Sequence, residues 1–193
     1  MSVLVGFADA FAAIESVWSL QEAGFEVTAI SRRGKPTALR RVRGVRLSEV
    51  TAPEQSIVTC LGELAAIVAE TRPAAFLPLD DQALWLTQRL NWDQCSLVGP
   101  GVTGTEWSLD KAAQVRLAER VGLSVPQTTV VPSPRQVGEV SFPRVLKPAA
   151  PVLQQGDRLV RPQGAVCGDY AELSDAISGM AEAPTLLQPL LTG

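Results

Sequence analysis

Of the 17 basic side chains in this 193-residue chain, 14 are arginine and three are lysine, and two of those lysines stand where an ammonium group could do chemistry. Lys111 follows Ser108-Leu109-Asp110 at the start of an apolar-periodic stretch. A cation there faces the positive end of the helix dipole and works against helix stability, so another role is expected for it. Lys147 closes the extended run Phe142-Pro143-Arg144-Val145-Leu146-Lys147-Pro148, which is expected to carry an ammonium into the apolar interior of a sheet or cleft. A buried ammonium needs an anion. The plainer readings are a surface lysine in the first turn of a helix for Lys111 and an edge-strand lysine reaching solvent for Lys147.

Other reactive groups are sparse. Histidine is absent, which removes the usual general base, a common zinc ligand and every Ser/His or Cys/His nucleophile pair. Cys60, Cys95 and Cys167 are odd in number and far apart, so neither a disulfide framework nor a paired-cysteine metal site is indicated, and a reducing, cytoplasmic setting follows. Asp80-Asp81 could ligate a metal but reads better as a helix cap. Trp18, Trp85, Trp92 and Trp107 lie in no stacking motif and read as core or interface fillers. A net charge of −3 argues against a general nucleic-acid binder. The local exception is Arg32, Arg33, Lys35, Arg40, Arg41, Arg43 and Arg46, read as a solvated loop ahead of a phosphate-neutralising one. No basic leader precedes the first apolar run, and no run approaches membrane-spanning length, so neither secretion nor a membrane partner is expected. With 46% hydrophobic and 19% charged residues the chain should fold.

The elements that must position these groups fall into two halves. Strands are predicted at residues 2–7, 25–31, 45–50, 74–79 and 96–98. Helices alternate with them: one capped by Asp9 with Phe11, Ile14, Val17 and Trp18 on its apolar positions, one opened by Pro53-Glu54 with Ile57, Cys60, Leu61, Leu64 and Val68 as its stripe, and one capped by Asp80-Asp81. That alternation predicts an α/β layer with a mostly parallel sheet over residues 1–103. Residues 104–193 read as a smaller α+β lobe. It comprises a helix at 109–121 with Leu109, Ala113, Leu117 and Val121 on one face, strands at 128–131 and 142–146, a hairpin at 152–160 turning at Gln155-Gly156-Asp157, a helix capped at Asp169, and a last strand at 185–191.

The ordered set formed by the N-terminal α/β layer, Ser108-Leu109-Asp110-Lys111, Gly122-Leu123-Ser124-Val125-Pro126 and Phe142–Pro148 resembles the ATP-grasp superfamily, the ATP-dependent carboxylate ligases related to biotin carboxylase and carbamoyl phosphate synthetase. The resemblance implies a Rossmann-like domain over 1–103, followed at 104–193 by the first, nucleotide-binding part of an ATP-grasp domain. It implies phosphate contacts from Lys111 and Lys147. Leu186–Gly193 resembles the hinge strand, which implies an adenine-facing side chain at Gln188, a carbonyl from Pro189 and a backbone N–H from Leu191. Gln188 stands where the superfamily has a carboxylate, and the loop after Lys147 holds a single glycine, Gly156. The carboxylates that bind Mg2+ lie, by the same resemblance, in a second half that is not in this sequence. The implied function is that of an N-terminal portion of a ligase that uses ATP to activate a carboxylate as an acyl phosphate for attack by an amine or other nucleophile. This portion alone is expected to be catalytically incomplete, and a homodimer is compatible with it.

Two other readings compete. Ser31-Arg32-Arg33, ending the second strand, stands where a dinucleotide fold receives a 2′-phosphate, which suggests an NADP-dependent reductase. Against it, Gly6-Phe7-Ala8-Asp9-Ala10 lacks the glycine pattern for a pyrophosphate, and Asp9 would repel one. The other is a noncatalytic scaffold whose nucleotide contacts have decayed.

Overall fold

The computed structural model describes residues 1–90, 95–100, 104 and 107–191. The chain divides into two compact units, Met1–Thr105 with Gln154–Val160, and Glu106–Leu153 with Arg161–Gly193.

The first unit is built on strands β1 (Ser2–Gly6), β2 (Glu26–Arg32), β3 (Val45–Val50), β4 (Ala75–Pro78) and β5 (Ser96–Leu97), all parallel in the order β3-β2-β1-β4-β5. Val3, Val5, Val27 and Ala29 share the face covered by helix α1 (Ala13–Glu22) through Ala13 and Val17. Their alternates Leu4, Ile30 and Phe76 are equally buried, so apolar side chains are enclosed on both faces. That is why these strands read as near-continuous apolar runs. Helix α2 (Ile57–Thr71) starts at Ser56, whose Oγ accepts from Thr59 N at 3.1 Å, and buries Ile57, Cys60 and Leu64. It ends at Arg72, in the left-handed region at φ 42°, just before Pro73. Helix α3 (Asp81–Thr87) is capped by Asp80, whose Oδ1 accepts from Ala83 N at 2.7 Å.

Two expectations for this unit are corrected. Asp9 does not cap α1, which begins four residues later at an N-cap without a side-chain bond. Phe11 and Trp18 are exposed, because residues 8–12 form turns and the helix seats itself through Ala13 and Val17. Trp85 is in the core, Trp107 is 40% exposed, and Trp92 lies outside the described residues.

A segment distant in sequence completes the unit. Strands β8 (Leu153–Gln155) and β9 (Arg158–Val160) form a hairpin turning at Gly156, φ 60°. Its Asp157 sits on the N-terminus of α2: Oδ1 accepts from Val58 N at 2.9 Å, Oδ2 accepts from Ser56 Oγ at 2.6 Å, and the Asp157 carbonyl accepts from Ile57 N at 2.8 Å. A carboxylate there satisfies helix N–H groups that have no intrahelical partner.

The second unit carries an antiparallel sheet, β10-β7-β11-β6, from β6 (Thr129–Val131), β7 (Arg144–Pro148), β10 (Ala165–Cys167) and β11 (Thr185–Pro189). Leu146 lies opposite both Leu187 and Ala165, and Leu186 opposite both Lys147 and Val130. By alternation, Arg144, Leu146, Leu187 and Thr129 share one face, and Val145, Lys147, Leu186, Gln188 and Val130 the other. Helix α5 (Tyr170–Gly179) packs Leu173 on the first face against Leu146 and Cys167. It begins with the reciprocal cap expected from Asp169 and Glu172: Asp169 Oδ1 accepts from Ala171 N and Glu172 N, and Glu172 Oε2 accepts from Gly168 N at 2.6 Å. Helix α4 (Lys111–Arg120) lays Ala112 on the second face, against Ala149 and Leu186. Leu117 and Val121, expected on its buried face, are 41% and 64% exposed, because the small residues Ala112 and Ala113 make the contact. The overall class is α/β, a parallel five-stranded sheet flanked by helices followed by an antiparallel sheet.

Candidate functional site

The second unit brings the two lysines to one end of β7. Asp110 is the N-cap of α4, its Oδ1 accepting from Ala113 N at 3.0 Å, which makes Lys111 the first helical residue. Lys111 N donates to the carbonyl of Ala149 at 2.9 Å, and Lys111 Nζ donates to the carbonyl of Pro148 at 3.3 Å. The ammonium is thus held by one carbonyl oxygen at the end of the strand that also carries Lys147, and the Ala149 carbonyl takes the backbone N–H of the same residue. The spacing of the two lysines is far in sequence and adjacent in the fold.

Lys147 itself is exposed, which corrects the expectation of a buried ammonium. The physical reason is the partial cover of its sheet face. The small side chains of α4 close that face only around Leu186, while Val130 and Val166 stay 43% and 58% exposed. Lys147 stands on a central strand beside this open area, not on an edge.

Gln188 is the polar residue buried on the same face, at 6% exposure. Its Oε1 accepts from Lys147 Nζ at 3.1 Å, its Nε2 donates to Thr128 Oγ1 at 2.9 Å, and Thr128 Oγ1 donates to the Pro126 carbonyl at 2.7 Å. The ammonium can only donate and the hydroxyl can accept, so this chain fixes which way the amide points. A carboxylate at 188 would accept from Lys147 equally well but could not donate to Thr128. Pro189 ends β11 half-buried, and Leu191 lies exposed just beyond the strand. Thr192 and Gly193 are outside the described residues. Thr128 was not anticipated, since a threonine opening a short strand carries no signal of a partner 60 residues away.

The arrangement is a sheet face with a valine-rich open area, one exposed ammonium, a second ammonium at the strand's end, and a buried amide of fixed orientation. Such a surface accepts a flat apolar ring whose substituent carries negative charge. Among the described residues no group of three His, Cys, Asp or Glu side chains is placed to hold a metal ion.

The first unit contains a separate polar cluster that the sequence reading did not assemble. Arg32, ending β2, has 2% of its side chain exposed. Nη1 lies 2.6 Å from Asp9 Oδ1, and Nη2 lies 2.8 Å from Asp80 Oδ2 and 2.5 Å from Gln82 Oε1. Nε is 3.5 Å from Glu54 Oε1, and the guanidinium stacks 3.8 Å over the Phe7 ring. Burial alone would raise the Asp9 carboxyl, but Arg32 and Lys35 outweigh it and hold Asp9 below its usual value. Burial likewise disfavours the charged Arg32, and Asp80, Asp9 and Glu54 together push its pKa up instead. Asp9 follows β1 and Asp80 follows β4, the two strands between which the sheet order reverses, so Arg32 fills the crevice where open α/β sheets receive ligands. The available signal was an aspartate shortly after β1 and another shortly after β4, plus an arginine ending β2. Elsewhere in the basic loop, Arg33 pairs with Glu63 at 2.8 Å, Lys35 with Asp9 at 3.3 Å, Arg46 with Glu70 at 2.6 Å, and Arg40 with Glu49. The structure therefore gives no support to a 2′-phosphate site at Arg32: its guanidinium is already taken by carboxylates.

No family model and no curated protein matches the sequence. Solved structures match over essentially the whole chain. An L-amino acid ligase from Bacillus licheniformis aligns over 100% of this chain and 44% of its own at 15% identity and TM-score 0.66. A biotin carboxylase from Campylobacter jejuni, solved as its β-γ-ATP complex, aligns over 99% and 45% at 14% identity and TM-score 0.63. An N5-carboxyaminoimidazole ribonucleotide synthetase from Thermotoga maritima aligns over 98% and 46% at 16% identity and TM-score 0.56. These neighbours are ATP-grasp ligases, and this chain has the fold of their N-terminal part while spanning less than half their length.

Proposed function

We propose that this chain is the N-terminal part of an ATP-grasp ligase and that its antiparallel sheet receives ATP on the face that carries Lys147 and Gln188. The observation that supports this most is the joining of Lys111 to the end of β7 through the Pro148 carbonyl, which gathers two ammonium groups beside a partly open apolar sheet face. In this reading Lys111 and Lys147 contact phosphate oxygens, and the adenine lies by Gln188, the Pro189 carbonyl and the Leu191 N–H. Proline still accepts at 189, because only its donor is missing. The residues fit a nucleotide in the second unit: cations, an open apolar face and a buried amide lie together there. In the biotin carboxylase domain of a 2-oxoglutarate carboxylase from Hydrogenobacter thermophilus, a further neighbour, MgADP and bicarbonate are bound. ATP supplies the phosphoryl group that activates a carboxylate toward a nucleophile. This chain's own part is to bind and orient the triphosphate. By the resemblance to such ligases, the Mg2+ ligands are assigned to the remainder of such an enzyme, and this portion alone is proposed to be catalytically incomplete.

Calorimetric titration of ADP and a non-hydrolysable ATP analogue tests the reading. The expected result is weak saturable binding that Lys147→Ala lowers about tenfold or more, the value of a charge-assisted hydrogen bond, while Lys35→Ala changes it little. Lys35 serves as the control because it pairs with Asp9 in the first unit. Equal losses in the two variants would remove the assignment. A folded wild-type chain that binds no nucleotide at millimolar concentration would favour the noncatalytic scaffold.

A further inference from the structure

The opposite face of the same antiparallel sheet carries a second cavity that the nucleotide reading leaves unused. It has a volume of about 230 Å3; Val131, Val137, Val140 and Leu187 form its apolar side, and Gln127, Thr129, Glu139, Ser141 and Arg144 its polar side. Arg144 and Lys147 are three residues apart on β7, so alternation sends their side chains to opposite faces.

The cavity has a fixed cation. Arg144 Nε donates to the Ser141 carbonyl at 2.8 Å and Nη2 donates to Ser141 Oγ at 2.9 Å. Those bonds use the side edge of the guanidinium and set its plane. The end edge, formed by Nη1 and the second hydrogen of Nη2, is engaged by no described residue, and among the described residues no carboxylate forms an ion pair with Arg144. A guanidinium held in this way presents two parallel N–H groups at the spacing of a carboxylate's oxygens.

The opposing wall is also fixed. Tyr170 Oη, at the start of α5, donates to the Val140 carbonyl at 3.1 Å and accepts from Val140 N at 3.3 Å. The Phe142 ring meets the Tyr170 ring edge to face at 4.7 Å. The loop carrying Val137, Val140 and Ser141 is therefore tied to a helix at one point and to the strand at another. Leu187 beneath it is 3% exposed.

We propose that this cavity binds a small carboxylic acid with a short, branched apolar tail. The carboxylate takes the end edge of Arg144, and the tail lies among Val131, Val137, Val140 and Leu187. The size suits such an acid and excludes a nucleotide, and the three valines with Leu187 give its tail an apolar side to lie against, while Arg144, with no carboxylate paired to it among the described residues, takes the charge. The site lies on the face away from Lys147 and Gln188, so its ligand binds alongside a nucleotide.

The test is calorimetric titration of 3-methylbutanoate into the full chain, with folding checked by circular dichroism. The wild type is expected to bind saturably in the millimolar range, with affinity unchanged by saturating ADP. Arg144→Met should weaken binding about tenfold or more. A second arm leaves the protein untouched: 3-methylbutanamide has the same shape without the charge and should show no saturation. Absence of saturable binding to folded wild type, equal affinity for acid and amide, undiminished binding to a folded Arg144→Met, or competition by ADP would each overturn the proposal. Inorganic phosphate binding more tightly than the acid would overturn the apolar-acid assignment.

Discussion

Arg32 shows how much one side chain can hold. Its guanidinium is almost wholly enclosed and answers Asp9, Asp80 and Gln82, with Glu54 at 3.5 Å, so the loops after β1, β3 and β4 converge on the end of β2. Removing it would leave partly buried carboxylates without their counter-charge, which is far costlier than the intact cluster is stabilising. Arg32→Leu is expected to lower stability by about 3–5 kcal/mol at neutral pH in urea unfolding. The pH dependence has a definite sign. The folded Asp9 pKa lies below the ordinary 3.8, so its contribution is complete above that value and is lost as pH falls through the lower folded one. The gap between wild type and Arg32→Leu should therefore narrow on acidification below about pH 4; a gap that stays constant down to the acid limit would show that packing, not charge, carries the Arg32 effect. Cys60 follows from burial as well. The thiol is fully enclosed, and burial, with Glu63 nearby, pushes it up to about 12, so alkylating reagents at neutral pH should leave it unmodified in the native chain.

At the scale of elements, the stability of the second sheet depends on close approach between β7 and the chain leading into β10. A Cβ placed on Gly164 would lie 2.6 Å from the Leu146 carbonyl oxygen, a backbone atom that cannot move aside without shifting the strand. Gly164→Ala is expected to cost about 1–3 kcal/mol as overpacking. Gly138→Ala, with open space around it, is the control expected to be near neutral. These elements also mark where sequence pattern suffices and where it does not. Strands β1, β2 and β4 were legible because apolar side chains are packed on both of their faces, and α3 and α5 because Asp80 and Asp169 stand at their starts; α2 was legible from its stripe, but it begins at Ile57 behind the Ser56 cap and not at the expected Pro53-Glu54. β10 was not anticipated: three residues, of which Val166 is exposed, leave no period to read. In α1 and α4 the pattern pointed to the large apolar residues, yet alanines and a valine make the contacts. Packing geometry decided between two stripes that hydrophobicity alone ranks the other way. For the candidate site, the sequence singled out Lys111, Lys147 and Gln188 through the resemblance, and the structure places all three in the second unit. The partners Thr128 and the Pro148 carbonyl, and the Arg32 cluster, depend on pairings that only the fold creates.

For the molecule as a whole, the division into two units separates the Arg32 cluster from the sites assigned to the antiparallel sheet. The Arg32 cluster and its parallel sheet belong to the first unit, whereas both faces of the antiparallel sheet, with the nucleotide and acid sites assigned to them, belong to the second. The hairpin Gln154–Val160 departs from this simple order, since its Asp157 caps α2 in the first unit although its flanking chain continues in the second. Ligand effects should follow the units. Binding to N but not to unfolded states raises protection only where opening is coupled to the site. Hydrogen exchange with saturating ADP is thus expected to slow the amides of β6, β7 and β11 and to leave β1, β2 and β4 unchanged. Asp157→Ala should do the converse without nucleotide, speeding exchange at Ile57, Val58 and Leu159, because these amides bond to Asp157 or anchor the hairpin to Pro53, and leaving β7 and β11 as they were. Nucleotide protection concentrated on the parallel sheet would place the ligand in the first unit, where Arg32 is already surrounded by carboxylates, and would remove the assignment of Lys147 and Gln188.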